Sequence, residues 1–153
     1  FFSDGRIYLG NNGEELKAFH TKDGFGIKAL ISSGVEVAII TGRKSAIVAN
    51  RMTALNVKHI IQGQENKLPA LQQLAQQLSF SPNQIAYIGD DTPDLACILH
   101  VGLVISVADA HPNVILNANY TTFTRGGFGA VREVCDLIML SQGSLDSAVG
   151  ASV

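Results

Sequence analysis

The sequence predicts an α/β fold: a Rossmann-like parallel sheet with helices on both faces and a β-hairpin flap. Three observations carry that expectation. Short β-branched apolar runs alternate with segments of helical period, the mark of a parallel sheet with right-handed crossovers. The runs at 37–40 and 85–88 are apolar at successive positions, and 103–107 is broken only by Ser106, as strands buried on both faces require. They also end abruptly in Thr, Gly or Asp, and in open parallel sheets the crevice outside the strands' carboxyl ends is where ligands bind.

Taken in order, Phe1-Phe2 looks like the end of an apolar strand and Ser3-Asp4-Gly5 is a turn. Residues 6–9 and 15–19 flank Gly10-Asn11-Asn12-Gly13, a hairpin signal because Asn and Gly tolerate positive φ. One face of this hairpin is polar, so residues 6–19 read as a flap. Asp23 is placed to cap a helix over 25–32, with Ile27, Leu30 and Ile31 on one side and Gly34 just past its end. A strand over 35–40 ends in Thr41-Gly42-Arg43, and a helix over 45–55 is stopped by Asn56. A short strand at 58–61 precedes a helix from Lys67 to about Leu78, striped by Leu68, Leu71, Leu74, Ala75 and Leu78. Ser81-Pro82 starts a single turn before the central strand at 85–88. A helix over 95–100 stops at Gly102, and then come a strand over 103–107, a helix over 113–117 and a last strand over 120–123. After the glycine-rich loop 125–129, a final helix over 130–140 buries Val131, Val134, Cys135 and Ile138. Residues 144–153 form a small-residue tail without a period, and no stretch has linker composition, so 1–153 reads as a single domain.

Composition narrows the function. With 46% hydrophobic residues and only 16% charged, there is ample core and a thin charged surface. A net charge of −2 gives no bulk field to recruit nucleic acid or an anionic membrane. No window has the length of a membrane span, and no basic and apolar leader opens the chain. Cys97 and Cys135 lie in apolar helical patterns and read as buried thiols of a reducing compartment, so a cytoplasmic location is expected.

The chemistry gathers at strand ends. Gly89-Asp90-Asp91, with Thr92-Pro93-Asp94, offers the hard oxygen ligands that suit Mg²⁺. The same residues also serve as turn and cap residues. Taken alone, Thr41 reads first as a helix cap and Lys67 first as a solvated first-turn lysine. Brought to one rim of a parallel sheet, the hydroxyl, the ammonium and the carboxylates converge beside helix N-termini, and a phosphate with Mg²⁺ uses all of them.

With Thr41, Lys67 and Gly89–Asp94 in this order, the sequence resembles the haloacid dehalogenase superfamily of phosphatases. The likeness extends through residues 10–19, Asp23-Gly-Phe-Gly-Ile27, Ala38-Ile-Ile-Thr-Gly-Arg43, residues 107–112 and Ala130-Val-Arg-Glu-Val-Cys-Asp136 to the tail. Within the superfamily it is similar to the capless branch that dephosphorylates an eight-carbon keto sugar acid during lipopolysaccharide precursor synthesis. That resemblance implies a Mg²⁺-dependent homotetramer acting on a small phosphorylated sugar acid. Asp90 would be the metal ligand, with Asp91 and Asp94 behind it. Thr41 would hydrogen-bond the phosphoryl group, and Lys67 would neutralise its charge and orient the nucleophile. His20, Thr21, Lys22, Asp23, Gly24, Lys28, Arg43 and Arg51 would contact substrate, some across a subunit boundary. Arginine suits the carboxylate of a sugar acid, since its planar fork matches it.

The family's first motif, Asp-x-Asp-Gly, holds the nucleophile that forms an aspartyl-phosphate and the general acid–base. It would fall immediately before Phe1 and is not in the 153 residues. The strand that carries it is expected mid-sheet, so its two neighbours are expected to lack a ladder partner, and the sequence reads as an incomplete record of a longer chain. The glycine-rich loop carries Phe128 where the family usually has a basic residue, with Arg125 nearby, and Lys28 stands for an arginine. Two other readings compete: a phosphatase of nine-carbon, sialic-type sugar acid phosphates, and a non-catalytic phosphatase-like module. A phosphorelay receiver domain is disfavoured, because Asp90-Asp91 follows both Thr41 and Lys67.

Overall fold

The structure, a computed structural model, describes residues 2–147. Phe1 and the end of the tail, residues 148–153, lie outside the described residues. A hairpin of β1 (Tyr8–Leu9) and β2 (Glu15–Leu16) precedes the alternating part of the chain. That part runs α1 (Thr21–Ser32), β3 (Ala38–Thr41), α2 (Ala46–Ala54), β4 (His59–Gln62), α3 (Lys67–Gln77), β5 (Ala86–Gly89), α4 (Leu95–Ile98), β6 (Leu103–Ser106), α5 (Pro112–Asn117), β7 (Tyr120–Thr121) and α6 (Ala130–Ser141).

All pairings in the main layer are parallel, as the buried apolar runs predict. β3 pairs with β4, Thr41 standing opposite Gln62. β5 pairs with β6, Gly89 opposite Ser106, and β6 with β7. Among the described residues β3 pairs with β4 alone and β5 with β6 alone, so the layer falls into two half-sheets. Between them lies a cavity of about 660 Å³, bordered by Ala38, Ile39 and Ile40 on one side and Ala86, Tyr87 and Ile88 on the other. The gap expected mid-sheet is therefore present. Leu71 and Leu74 of α3 and Ile27 of α1 with Val131 and Val134 of α6 also line it, so helices stand on both faces of the gap.

Several elements differ from expectation for local reasons. α1 begins at Thr21, four residues earlier than the glycines suggest, and its cap is His20, whose Nδ1 accepts the Lys22 N–H at 3.2 Å. Asp23 is not the cap: it lies inside the first turn, 3% exposed, and its Oδ1 accepts the Arg132 N–H of α6 at 2.9 Å. Glycine weakens an isolated helix, but here it lets α6 approach. A Cβ on Gly26 would lie 3.1 Å from the Arg132 Cα and 3.2 Å from the Cys135 Cβ. The flap is shorter than the 6–19 reading: two residues pair on each side, and Leu9 and Leu16 are exposed. β7 covers Tyr120–Thr121, shorter than the 120–123 reading; the Thr122 N–H still donates to the Ser106 carbonyl, while its hydroxyl accepts from the Ala108 N–H and donates to the Thr124 carbonyl. Cys97 and Cys135 are buried free thiols.

Candidate active site

The site begins where β5 ends. Gly89 has no side chain, and a Cβ there would sit 3.0 Å from the Asp94 Cβ, so glycine is what lets Asp94 fold back under the strand end. Asp91 starts the single 3₁₀ turn Thr92–Asp94, its Oδ1 accepting the Thr92 N–H at 2.7 Å, and Pro93 favours that turn. The turn delivers Asp94, 1% exposed, into the middle of the site.

Asp94 is held from every side. Its Oδ1 accepts from the Lys67 ammonium at 2.6 Å and from the Tyr87 hydroxyl at 2.7 Å. Its Oδ2 accepts the backbone N–H groups of Asp90 at 3.0 Å and Asp91 at 3.3 Å. Burial works most strongly against this carboxylate, but the Lys67 ammonium, the Tyr87 hydroxyl and the Asp90 N–H together hold Asp94 below the usual carboxylate range. Burial, followed by the charge of Asp94, pushes the Tyr87 phenol upward, so it stays a donor.

The Lys67–Asp94 pair also fixes the rim. Lys67 opens α3 directly after β4, and Asp94 follows β5, so the carboxyl ends of the two half-sheets meet at one edge. Thr41 ends β3 at the same edge, opposite Gln62, and its carbonyl accepts the Gln64 N–H at 3.1 Å.

Beside Asp94 opens a cleft of about 330 Å³ lined by Asp4, Asp90, Asp91, Asp109, His111 and Gly126. Burial and then the neighbouring Asp94 push the Asp90 carboxyl above its ordinary range, and a bound cation reverses that preference. Among the described residues no three acidic, His or Cys side chains form a closed metal cage. Mg²⁺ does not need one: it keeps several waters and takes one or two carboxylates plus phosphate oxygens, so the donor set fits it. The far wall is pinned. The His111 N–H donates to the Asp90 carbonyl at 2.8 Å, and the Gly126 N–H donates to Asp109 Oδ1 at 2.8 Å. Gly127, at φ +75°, rests on the Ser3–Asp4 backbone where a side chain would collide. The Arg125 guanidinium stacks 4.3 Å over the Phe128 ring.

Of the residues expected at the site, Lys67, Asp90, Asp91 and Asp94 stand together, and Thr41 shares their rim. The others are placed elsewhere. His20, Thr21 and Lys22 occupy the cap and first turn of α1, outside the residues that line the cleft. Asp23 is an anchor for α6, and its buried Oδ2 has no hydrogen-bond partner among the described residues. Gly24 and Arg51 come together: a Cβ on Gly24 would lie 2.5 Å from Arg51 Nη2. Lys28 is half-buried one turn along α1, and Arg43 is exposed after β3. Sequence reasoning missed Tyr87, Asp109 and His111 and read Asp4 as a turn residue. Asp109 and His111 lie three and five residues past the end of β6, in the loop where the strand-end rule looks, so that rule could have found them; Tyr87 sits inside an apolar run and gave no such signal.

The family profile of haloacid dehalogenase-like hydrolases matches residues 56–131. A 3-deoxy-D-manno-octulosonate 8-phosphate phosphatase of Salmonella typhi is 54% identical over 151 residues, 99% of this chain and 80% of the relative. One of Yersinia pestis is 52% identical over 151 residues, 99% of this chain and 81% of the relative. A crystal structure of the Yersinia pestis phosphatase superposes with a TM-score of 0.97 at 51% identity, covering 99% of this chain and 82% of that one. The Moraxella catarrhalis phosphatase, solved with magnesium ion, phosphate ion and a KDO molecule, superposes at 0.93 with 46% identity, over 95% of this chain and 84% of that one.

Proposed function

Because this chain belongs to the haloacid dehalogenase-like hydrolases and, within them, to the 3-deoxy-D-manno-octulosonate 8-phosphate phosphatases, we propose that it hydrolyses that ester to the free sugar acid and phosphate in lipopolysaccharide precursor synthesis. The observation that carries the reading is the Lys67–Asp94–Asp90 connection across the two half-sheets, which sets a cation beside a carboxylate-lined cleft.

Asp90 would hold Mg²⁺ at the cleft, where the ion withdraws charge from the phosphoryl oxygens. The Lys67 ammonium faces the phosphate and offsets its charge, its position fixed by Asp94. The Thr41 hydroxyl donates to a phosphoryl oxygen from the same rim. The backbone N–H groups that open α3 favour the anion as well. In the family's chemistry the first carboxylate of an Asp-x-Asp motif attacks phosphorus: a P–O bond forms to it, the sugar oxygen leaves with a proton from the second Asp, and water then hydrolyses the aspartyl-phosphate. Gly24, Lys28, Arg43 and Arg51 are proposed to meet the sugar acid, and His20 to Asp23 to shape the segment that presents it, within a homotetramer in the cytoplasm. Among the described residues no helix is long and apolar enough to cross a membrane.

Residues 1–153 are expected to bind Mg²⁺ and phosphate without turnover, since they lack the Asp-x-Asp-Gly pattern. With that pattern placed ahead of Phe1, Mg²⁺-dependent phosphate release from the eight-carbon ester is expected, faster than from nine-carbon sugar acid phosphates. Equal or faster release from the nine-carbon esters would favour the sialic-type reading. No release from any ester would favour a non-catalytic module.

A further inference from the structure

We propose that Tyr87 is a positioning residue that sets the Lys67 ammonium in place through Asp94. The proposal rests on the reading of Lys67 as the cation that faces the phosphate, and adds the group that holds it there.

The geometry is a shared acceptor. Tyr87 rises from the middle of β5, opposite Val104 of β6, along the wall of the central cavity. Its hydroxyl reaches Asp94 Oδ1, the oxygen that also takes the Lys67 ammonium. The other oxygen is committed to the backbone N–H groups of Asp90 and Asp91. Each oxygen of this buried carboxylate therefore has two donors, and the plane of the carboxylate is set by all of them. A lysine on a flexible four-carbon stem has three rotatable donors and no preferred direction of its own. Its direction here comes from the oxygen it bonds, and the position of that oxygen comes in part from Tyr87. A tyrosine kept for packing alone would be served by any nearby carbonyl. This one instead spends its hydroxyl on the carboxylate that ties Lys67 to the Asp90–Asp91 turn. Loss of the hydroxyl frees one side of Oδ1, lets the carboxylate turn, and lets the ammonium follow it.

The test observes Lys67 directly. Lysine side-chain ammonium resonances are recorded on ¹⁵N-labelled protein, with Lys67 assigned by its loss in Lys67→Met. In the wild type the Lys67 ammonium is expected to exchange slowly enough to be seen. In folded Tyr87→Phe it is expected to shift or broaden while the other lysines stay unchanged. Affinity for inorganic phosphate in saturating Mg²⁺ is expected to fall on the order of tenfold, the factor that matches one charge-assisted hydrogen bond. Adding Tyr87→Phe to Lys67→Met should lower it no further. An unchanged Lys67 resonance in folded Tyr87→Phe overturns the proposal, as does full additivity with Lys67→Met. Should Tyr87→Phe fail to fold, 3-fluorotyrosine at position 87 keeps the ring and strengthens the donor. It is expected to move the Lys67 resonance, and no movement overturns the proposal. A wild type that binds no phosphate in Mg²⁺ contradicts the phosphatase reading, while the resonance still decides the positioning role.

Discussion

Asp94 takes two donors on each carboxylate oxygen and is 1% exposed, which makes it the residue whose loss the site tolerates least. The Lys67 ammonium lowers its pKa against the pull of burial. An acid whose folded pKa lies below its unfolded value of about 3.9 contributes stability that is full above about pH 4 and is lost as pH falls through the folded value. The wild type should therefore be stabilised relative to Asp94→Asn by about 3 kcal/mol at pH 7, the scale for breaking a buried pair. That difference should shrink as the pH is lowered below 4. Paired thermal melts from pH 7 downward check this, and a difference independent of pH would contradict it. At this scale the strand-end logic read Lys67, Asp90, Asp91 and Asp94 from the sequence. It could not read Tyr87, because a tyrosine in a β-branched run reads as a strand former and only the fold turns its hydroxyl onto Asp94.

Helix α1 carries the difference between propensity and packing. Two glycines within its first six residues argue for a loop, and yet Thr21–Ser32 is helical. Gly26 faces Arg132 and Cys135 of α6 at distances where a methyl group leaves little slack, and the Asp23 carboxylate reaches across to the first turn of α6. Gly26→Ala gains about 1 kcal/mol of helix propensity. It pushes against a backbone atom of α6, at a cost of about 1–3 kcal/mol. The net expectation is a melting temperature lower by about 2–4 °C per kcal/mol. A melting temperature equal to or above the wild type would show that the helices do not depend on that approach. The strands were legible because short apolar runs end in turn or polar residues, and the later helices because a period of 3.6 agrees with a stopping residue. The start of α1 was not, because the His20 cap and the contact of Asp23 with α6 decide it.

On the scale of the whole molecule, two parallel half-sheets flank an apolar cavity and meet at one rim through the Lys67–Asp94 ion pair. The order of elements was readable from alternation alone, and the mid-sheet gap followed from the expected place of one strand. The meeting of Asp4 and Gly126 with Asp90 was not readable, since it depends on the glycine-rich loop resting on the Ser3–Asp4 backbone. The account stands on that rim gripping a divalent cation and a phosphate together. Calorimetric titration of inorganic phosphate into the protein, with and without Mg²⁺, in the wild type and Asp90→Asn, tests it most directly. Binding that needs Mg²⁺ and is lost in folded Asp90→Asn is the predicted result; phosphate binding indifferent to Mg²⁺, or equal in the variant, would contradict it.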